Sequence, residues 1–334
     1  MNIKKYRKLI LTLIIITIMS LISSIFIGRF KLGIKETLKY LFGNGDPNDI
    51  KTSVLFDIRI PRIVMALFVG TGLSLAGTTY QAVLMNPLAS PDVLGTSSAA
   101  AFGASLGILL FPNSFLINCI FSFCFGILSI FLVFMITKFK RSDDILSMVL
   151  SGMIVGSVFM SLIAIIKYVA DTEETLPAIT FWLMGSFSSI SREQLLYAIP
   201  LYIINFGIIY LLRWKLNIMS LGDEEAIVAN IDPKKLRAIL LTTASIIVSL
   251  SVTVAGVVGW VGLVIPHLAR TLVGYNHGRL VPCAGILGGV FLLIIDNIAR
   301  SVGYAEIPIG MLTAFIGAPI FMVLFIRGGK ENES

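Results

Sequence analysis

Ten apolar segments of the chain are long enough, or nearly long enough, to cross a lipid bilayer. A helix needs about 20 predominantly apolar residues to span the hydrocarbon core. The segments lie near 9–28, 62–84, 95–111, 115–138, 145–169, 193–213, 237–257, 259–274, 281–302 and 308–327. A further apolar stretch, 176–188, is too short to span. The pattern predicts one all-α integral membrane domain over residues 1–334.

The composition excludes several classes of soluble protein. Hydrophobic residues make up 56% of the chain and charged residues only 13%, whereas a soluble surface is about 25–35% charged. An ordinary cytosolic enzyme, a disordered protein and a nucleic-acid binder are therefore excluded. Three cysteines without CxxC spacing and two histidines predict no disulfide framework, no metal site and no cofactor.

Lysine and arginine alternate between loops, which predicts the orientation in the bilayer. The N-terminal head, the loops near 138–141 and 213–237, and the C-terminal tail are basic, whereas 171–174 is acidic. Basic loops stay in the cytoplasm, so both termini are expected there. The first segment is interpreted as a retained span, because no small-residue cleavage pattern follows it. The basic segment 29–62, expected outside, is an exception that needs a separate reason.

An internal echo relates two parts of the chain. Residues 59–95 and 237–274 each combine an arginine, a span rich in small residues and a proline break, and their predicted directions across the membrane are opposite. Inverted repeats are a common plan of transporters. The sequence predicts about ten transmembrane helices with an inverted internal repeat.

The sequence shows no residues for catalysis or for ATP hydrolysis. Gly103–Gly107 matches G-x-S-x-G but lies inside an apolar helix, so it is interpreted as a packing site. No P-loop is present. Asp296 and Arg300 share a helix face, which leaves an ion pair and a proton relay as alternatives. The sequence predicts a conduit whose energy comes from elsewhere.

The segment 217–238 is the longest polar loop expected on the inner side. Asp223 is predicted to cap a short helix whose first turn carries Glu224 and Glu225. Asp232–Pro233 is predicted to begin a second short helix. Two short helices favour a docking surface for another protein over a solvated connector.

Three arginines are expected at the outer mouth of the bundle. Arg59 and Arg62 flank Pro61 at the start of the second span, and Arg300 lies at the outer end of the ninth. Exposed arginines there would either anchor to lipid phosphate or meet an acidic patch on an outside partner.

The chain breaks between the second and third spans. Asn86 and Pro87 stop the helix, and Gln81 lies five residues before Asn86. These polar residues could line a passage or hydrogen-bond the broken backbone.

A set of short motifs occurs in order between about residues 55 and 327. They are Arg59-Ile-Pro-Arg62, Gly77 with Gln81, Asn86-Pro-Leu-Ala-Ser-Pro91, Trp182-Leu-Met-Gly-Ser186, Leu221-Gly-Asp-Glu224, Val261-Gly-Leu-Val-Ile-Pro-His267 with Arg270, Asp296 with Arg300, and Glu306-Ile-Pro-Ile-Gly310. Together they resemble the iron-siderophore (FecCD-type) permease family of ABC importers, which includes cobalamin and haem permeases. The chain departs from the family pattern at Ala99, Ala229–Asn230 and Trp260.

The resemblance implies a type II ABC importer permease in the bacterial cytoplasmic membrane. Its implied partners are two ATPase subunits on the cytoplasmic face, a second permease subunit (the same chain or a paralogue), an extracytoplasmic substrate-binding protein and the lipid bilayer, with no nucleic acid. It implies binding-protein docking by Arg59, Arg62 and Arg300, and ATPase coupling by Leu221, Gly222, Asp223, Glu224, Glu225 and Ala226. A pathway or gate role falls to Gln81, Asn86, Pro87, Ser142, Ser147, Ser151 and Gly152, and a structural role to Pro266, His267, Arg270 and Asp296.

The expected function is passive passage of a ferric siderophore, powered by a separate ATPase, with no enzyme activity in this chain. Haem or cobalamin import is the alternative within the family, and a proton- or sodium-coupled carrier is the alternative from another class. A passage without fixed charges is expected to hold a bulky chelate weakly and to release it.

Overall fold

A computed structural model describes residues 2–30, 32–43, 46, 49–140, 145–302 and 305–331. These residues form helices and no strands. The helices are α1 Ile3–Phe26, α2 Ile34–Leu41, α3 Ile50–Ser53, α4 Ile60–Val83, α5 Thr96–Leu110, α6 Phe115–Phe139, α7 Ile145–Val169, α8 Thr175–Leu183, α9 Arg192–Met219, α10 Asp223–Val228, α11 Pro233–Ala255, α12 Val261–Val273, α13 His277–Ser301 and α14 Ile309–Glu331.

Each of the predicted apolar segments coincides with a helix. Seven helical stretches of the described residues are long and apolar enough to cross a membrane, and one of them runs unbroken over Ile50–Val83. Three shorter apolar helices are α5, α12 and the Ile309–Leu324 part of α14. The apolar stretch 176–188 contains α8, which is too short to span.

The helix entering at Pro61 begins earlier than predicted and contains a π-helical turn. This turn, Val54–Arg59, joins α3 to α4, and the Ile60 N–H donates to the Leu55 carbonyl five residues back. Pro61 has no N–H to donate, so the Phe56 carbonyl accepts instead from Arg192 Nε at 2.9 Å. The π-helical turn therefore sets the direction in which the following arginines leave the helix.

Small residues let the central helices α4, α12 and α13 approach closely. A Cβ atom added to Gly70 would lie 2.2 Å from the Gly288 carbonyl oxygen, and one added to Gly77 would lie 1.8 Å from the Gly262 carbonyl oxygen. Contacts of this kind hold helices together where lipid provides no hydrophobic drive. The core of the bundle is therefore built on backbone-to-backbone contact.

The G-x-S-x-G stretch packs α5 against α6. Ser105 is fully buried, and its hydroxyl donates to the Ala101 carbonyl at 2.8 Å. A Cβ on Gly103 would lie 2.3 Å from the Phe121 carbonyl oxygen of α6. The hydroxyl is satisfied inside its own helix, so the packing interpretation holds.

We expect Gly77→Ala to destabilise the protein by about 1–3 kcal/mol, because the added methyl group meets backbone and the helices must separate. Gly285→Ala is the matched control, since its Cβ would lie 3.4 Å from Leu75 Cδ2, an ordinary contact. Equilibrium unfolding in detergent micelles measures both variants. Equal stability of the two would contradict the packing argument.

Helix α13 connects two functionally predicted regions at opposite ends of the bundle. At its start, the His277 N–H donates to Asn217 Oδ1 at 2.7 Å, beside the predicted coupling segment. Near its end, Asp296 contacts Arg62 at the start of α4. The 25 residues of α13 rise about 36 Å at 1.5 Å per residue. The two regions therefore lie roughly one membrane thickness apart.

Part of the basic excess of segment 29–62 is paired or buried inside the structure. Lys51 Nζ pairs with Glu36 Oε1 at 2.8 Å, and Asp57 pairs with Arg192 at 2.8 Å. Two further basic residues of the segment, Arg59 and Arg62, are buried. Burial of Arg59 and Arg62 and pairing of Lys51 thus account for part of the exception to the charge pattern, whereas Asp57 is paired with a base outside the segment.

Candidate functional sites

The three predicted docking arginines lie together, but they are buried. The charges of Arg59 and Arg62 both act on Arg300. The exposed fractions of Arg59, Arg62 and Arg300 are 4%, 5% and 4%. The expectation that they face the aqueous phase was wrong for this conformation, because each guanidinium has partners within the chain.

A buried carboxylate, Asp296, holds two of these arginines. Asp296 Oδ1 lies 2.8 Å from Arg62 Nη2, and Asp296 Oδ2 lies 3.5 Å from Arg300 Nε. The Asp296 side chain has no exposed surface. Charges are kept inside a protein when they are paired, so of the two sequence alternatives for Asp296 the structure shows the ion pair.

The end of α1 supplies backbone acceptors to the same cluster. Arg59 Nη1 donates to the Ile25 carbonyl at 2.8 Å, and Arg300 Nη2 donates to the Ser24 carbonyl at 2.8 Å. The last carbonyls of a helix lack intrahelical partners and favour cations. This contact could not be predicted, since an apolar run does not show where its last carbonyls point.

Glu306 is the member of the cluster that reaches solvent. Arg62 Nη1 donates to Glu306 Oε1 at 2.9 Å and to Oε2 at 3.0 Å, and the Glu306 side chain is 23% exposed. Sequence reasoning quoted Glu306 in a motif but gave it no role. Its position as the one acid of the sequence between Arg300 and Pro308 was the available signal.

Gln81 compensates for a proline in another helix. In α12 the Gly262 carbonyl would normally accept from residue 266, but Pro266 has no N–H. Gln81 Nε2 donates to that carbonyl at 3.4 Å, and Gln81 Oε1 accepts from Arg270. The structure thus joins Gln81, Pro266 and Arg270, and the backbone that the Gln81 side chain bonds belongs to α12 and not to the break after α4. His267 packs edge-on against Phe321 of α14, with ring centroids 6.0 Å apart.

Asn86 and Pro87 are exposed and form a turn. Asn86 Oδ1 accepts from the Leu88 N–H at 2.9 Å, as in an Asx turn. The Asn86 N–H donates to the Gln81 carbonyl at 3.1 Å, so the turn stays joined to the end of α4, while the side chains of Asn86 and Pro87 lie at the surface of this chain.

The predicted gate residues of α7 are buried in helix contacts. Ser147 Oγ accepts from Lys140 Nζ at 2.8 Å, and Ser151 Oγ lies 3.4 Å from Thr137 Oγ1. A Cβ on Gly152 would lie 2.3 Å from the Val93 carbonyl oxygen. In this chain they hold α7 against its neighbours. Ser142 lies outside the described residues.

The break between α4 and α5 and the break between α11 and α12 meet at a small cavity that contains a carboxylate. Pro91, before α5, touches Gly262, at the start of α12. The exposed side chain of Asp92 opens into this cavity, whose lining includes Ser97, Ser251 and Trp260. Sequence reasoning missed Asp92, although an acid between two apolar spans was a visible signal.

The predicted coupling segment exposes apolar side chains on α10. The exposed fractions of Leu221, Ile227 and Val228 are 68%, 64% and 89%, whereas Ala226 is fully buried. Gly222, at the turn into α10, has a φ of +132°, which only glycine adopts freely. The turn therefore places one face of α10 outward.

The segment contains one short helix instead of the predicted two. Asp223 pairs with the buried Arg237 and does not cap α10, whose N-cap is Gly222. Asp232 caps the next helix as predicted, accepting from the N–H groups of Lys234 and Lys235 at 3.0 and 3.1 Å. That helix is the long α11, because the apolar pattern continues without a break.

The model of the FecCD transport family matches residues 13–327. The chain belongs to the FecCD transport family. A molybdate import system permease protein of Haemophilus influenzae is 38% identical over 334 residues, covering 98% of each chain. The Fe(3+)-citrate import system permease protein of Bacillus subtilis is 35% identical over 326 residues, covering 96% of each. A solved structure described as an inward-facing conformation of a metal-chelate type ABC transporter has a TM-score of 0.87 and 38% identity, covering 96% of this chain and 99% of that one.

Membership confirms the resemblance and defines the class of protein. The chain is a membrane permease of the ABC transporter type, in which separate ATPase subunits hydrolyse ATP. The relatives' names differ in cargo, so family membership leaves the substrate of this FecCD permease open.

Proposed function

We propose that this FecCD permease is the passive pathway subunit of an ABC importer for a ferric siderophore. The observation that carries the proposal is the apolar surface of α10, where Ile227 and Val228 protrude from a polar segment. Apolar side chains in such a position need a protein to cover them. The residues Leu221 to Glu225, within the segment 217–238, would form the coupling surface for the ATPase together with Ile227 and Val228. Ala226, the last residue predicted for this surface, is fully buried and would hold α10 in place beneath it.

The proposed architecture has ten transmembrane helices, an inverted repeat and both termini in the cytoplasm. The contact of Pro91, in the break after α4, with Gly262, near the start of α12, supports it, because parts of the two echoed regions then meet inside one bundle. Pro266, the predicted break of the second region, lies inside α12. A second permease subunit, identical or paralogous, would complete the pathway beside that junction. Polar residues at interrupted helices are a common form of transporter site.

We assign the docking of an extracytoplasmic binding protein to Arg59, Arg62 and Arg300. Glu306 would compete with carboxylates of the binding protein for the guanidinium of Arg62. Docking by carboxylates requires the arginines to exchange partners, since all three are internally bound. Glu306 is the exposed partner of Arg62, so its carboxylate can be displaced with the smallest rearrangement. An incoming carboxylate would take its place on the guanidinium.

Glu306→Gln is expected to strengthen binding of the substrate-binding protein by about tenfold, ~1.4 kcal/mol, because Arg62 then loses a charged competitor. Titration of the binding protein against the detergent-solubilised permease measures the affinity. Glu193→Gln is the control, since Glu193 is an exposed carboxylate at the N-terminal turn of α9, outside the arginine cluster. Weaker binding by Glu306→Gln would show that Glu306 itself contributes to docking.

Molybdate is the second candidate cargo, favoured by the 38% identity to the Haemophilus influenzae permease. Asp92 bears on the choice, because a fixed carboxylate beside the helix breaks repels a bare oxyanion more than a shielded iron chelate. Haem and cobalamin remain the alternatives that the family includes.

Uptake into proteoliposomes that contain the permease, its ATPase and its binding protein tests the function. We expect ATP-dependent, uncoupler-insensitive accumulation of radiolabelled iron offered as a siderophore complex, and no accumulation without the ATPase. Accumulation of labelled molybdate instead would replace the cargo and keep the permease role. Uptake driven by a proton or sodium gradient alone would overturn both.

A further inference from the structure

The last turn of α9 holds the start of α13 beside the predicted coupling segment. Asn217 lies one helical turn before Leu221, where the exposed apolar surface of the segment begins. Its side-chain oxygen Oδ1 lies 2.7 Å from the backbone nitrogen of His277, the first residue of α13, and 3.1 Å from Nδ1 of the His277 ring. One side chain of α9 thus makes two contacts with a helix that begins 60 residues further along the chain.

The backbone contact determines the direction of both hydrogen bonds. Because a backbone N–H can only donate, the Asn217 atom that faces it is the amide oxygen. An amide oxygen can only accept, so Nδ1 of His277 carries a proton and donates it to Asn217. His277 is 4% exposed, and its other ring nitrogen, Nε2, has no hydrogen-bond partner among the described residues. The hydrogen bonding of the His277 ring is therefore directed towards α9.

Asn217 does for α13 what an N-cap residue does within its own helix. The first N–H groups of a helix have no intrahelical acceptor. Asn276, the N-cap of α13, accepts from the Gly278 N–H at 2.9 Å, and the His277 N–H is satisfied from α9. Gly278 also lies against α9, since a Cβ atom added there would lie 2.7 Å from Trp214 Cη2. A movement of the end of α9 would therefore displace the start of α13.

Helix α13 can carry such a displacement to the arginine cluster. It is one continuous helix over His277–Ser301, and it packs on α4 at backbone distance, where a Cβ atom added to Gly288 would lie 2.4 Å from the Gly70 carbonyl oxygen. Near its other end Asp296 binds Arg62 at the start of α4. Energetic coupling between distant sites is carried by packed helices and hydrogen bonds of this kind.

We infer that Asn217 is a positioning residue that couples α10 to the arginine cluster across the membrane. The inference rests on the proposed function, in which the ATPase covers α10 and the binding protein docks on the arginines. ATP binding would move α10 together with the last turn of α9, and the two hydrogen bonds of Asn217 would pass the movement to α13. The affinity for the binding protein would then depend on the nucleotide bound to the ATPase, as coupling between two sites requires.

Titration of the substrate-binding protein against the detergent-solubilised permease–ATPase complex, with ADP or with a non-hydrolysable ATP analogue, tests this role. We expect the two affinities of the wild type to differ by at least about fivefold. Asn217→Leu keeps the volume but removes the acceptor, so it should abolish the difference while the ATPase stays bound. Asn217→Asp keeps the acceptor and should restore the difference. Asn205→Leu is the matched control, since Asn205 donates within α9, to the Leu201 carbonyl at 2.8 Å.

A full affinity difference in Asn217→Leu would overturn the inference and leave the permease role intact, as would equal affinities of the wild type with the two nucleotides. Loss of the difference in Asn205→Leu or in Asn217→Asp would also overturn it, because the effect would then not depend on the acceptor. Melting temperatures identify a variant that fails to fold, and Asn217→Ala, which removes the same acceptor, then replaces Asn217→Leu. A wild-type chain that does not bind the ATPase would reject the proposed function and this inference together.

Discussion

Asp296→Ala is expected to lower the free energy of unfolding by about 3–5 kcal/mol, the usual cost of breaking a buried ion pair by removing one partner. Asp296 is fully buried between Arg62 and Arg300. Its removal leaves Arg300 with no carboxylate partner and Arg62 with only the part-exposed Glu306. Equilibrium unfolding in mixed detergent micelles measures the loss.

Two further variants separate the buried charge from other effects of the substitution. Glu306→Gln should cost about 1 kcal/mol or less, because Arg62 keeps Asp296. Asp296→Leu combined with Arg62→Met and Arg300→Met should regain part of the loss, since the unpaired charges are removed with their partner. An Asp296→Ala protein as stable as Glu306→Gln would contradict the central place of Asp296 in the cluster.

The apolar segments were predictable because their length and composition are local properties of the sequence. Each predicted segment is helical, and the start of α11 was also visible in Asp232–Pro233. The length of α11 was underestimated, since the charged residues at its start resemble a separate short helix. An N-cap residue such as Asp232 indicates where a helix begins but does not indicate where it ends.

The environment of the arginines was not predictable, because it depends on residues distant in sequence. Arg62 and Asp296 are 234 residues apart, and Arg59 is held by carbonyls of α1 and of the residue Phe30. Sequence reasoning saw three cations at one end and assumed exposure. Burial was decided by partners that no local pattern identifies.

Gln81 is a residue that the sequence motifs selected without indicating which atoms its side chain contacts. Gln81, Pro266 and Arg270 were selected separately, and the structure joins them around one carbonyl that Pro266 leaves without a donor. The proline in one helix explains the glutamine in another. Asp92 was missed because attention went to the prolines on its N-terminal side, although its position beside the break indicated a polar environment.

Ile227→Asp combined with Val228→Asp is expected to reduce ATP-driven uptake at least tenfold, because the charges would have to be desolvated when the ATPase covers α10. Both side chains are largely exposed, so the free energy of unfolding should stay within about 0.5 kcal/mol of the wild type. Uptake into proteoliposomes and co-purification of the ATPase are the two measurements.

Lys235→Ala provides the control for this surface. Lys235 is exposed in the first turn of α11, seven residues beyond Val228, and it keeps the backbone contact of Asp232. We expect normal uptake by this variant. If the double aspartate variant keeps its ATPase and transports at half the normal rate or more, the ATPase contacts another surface, since two buried carboxylates at a protein interface would cost several kcal/mol.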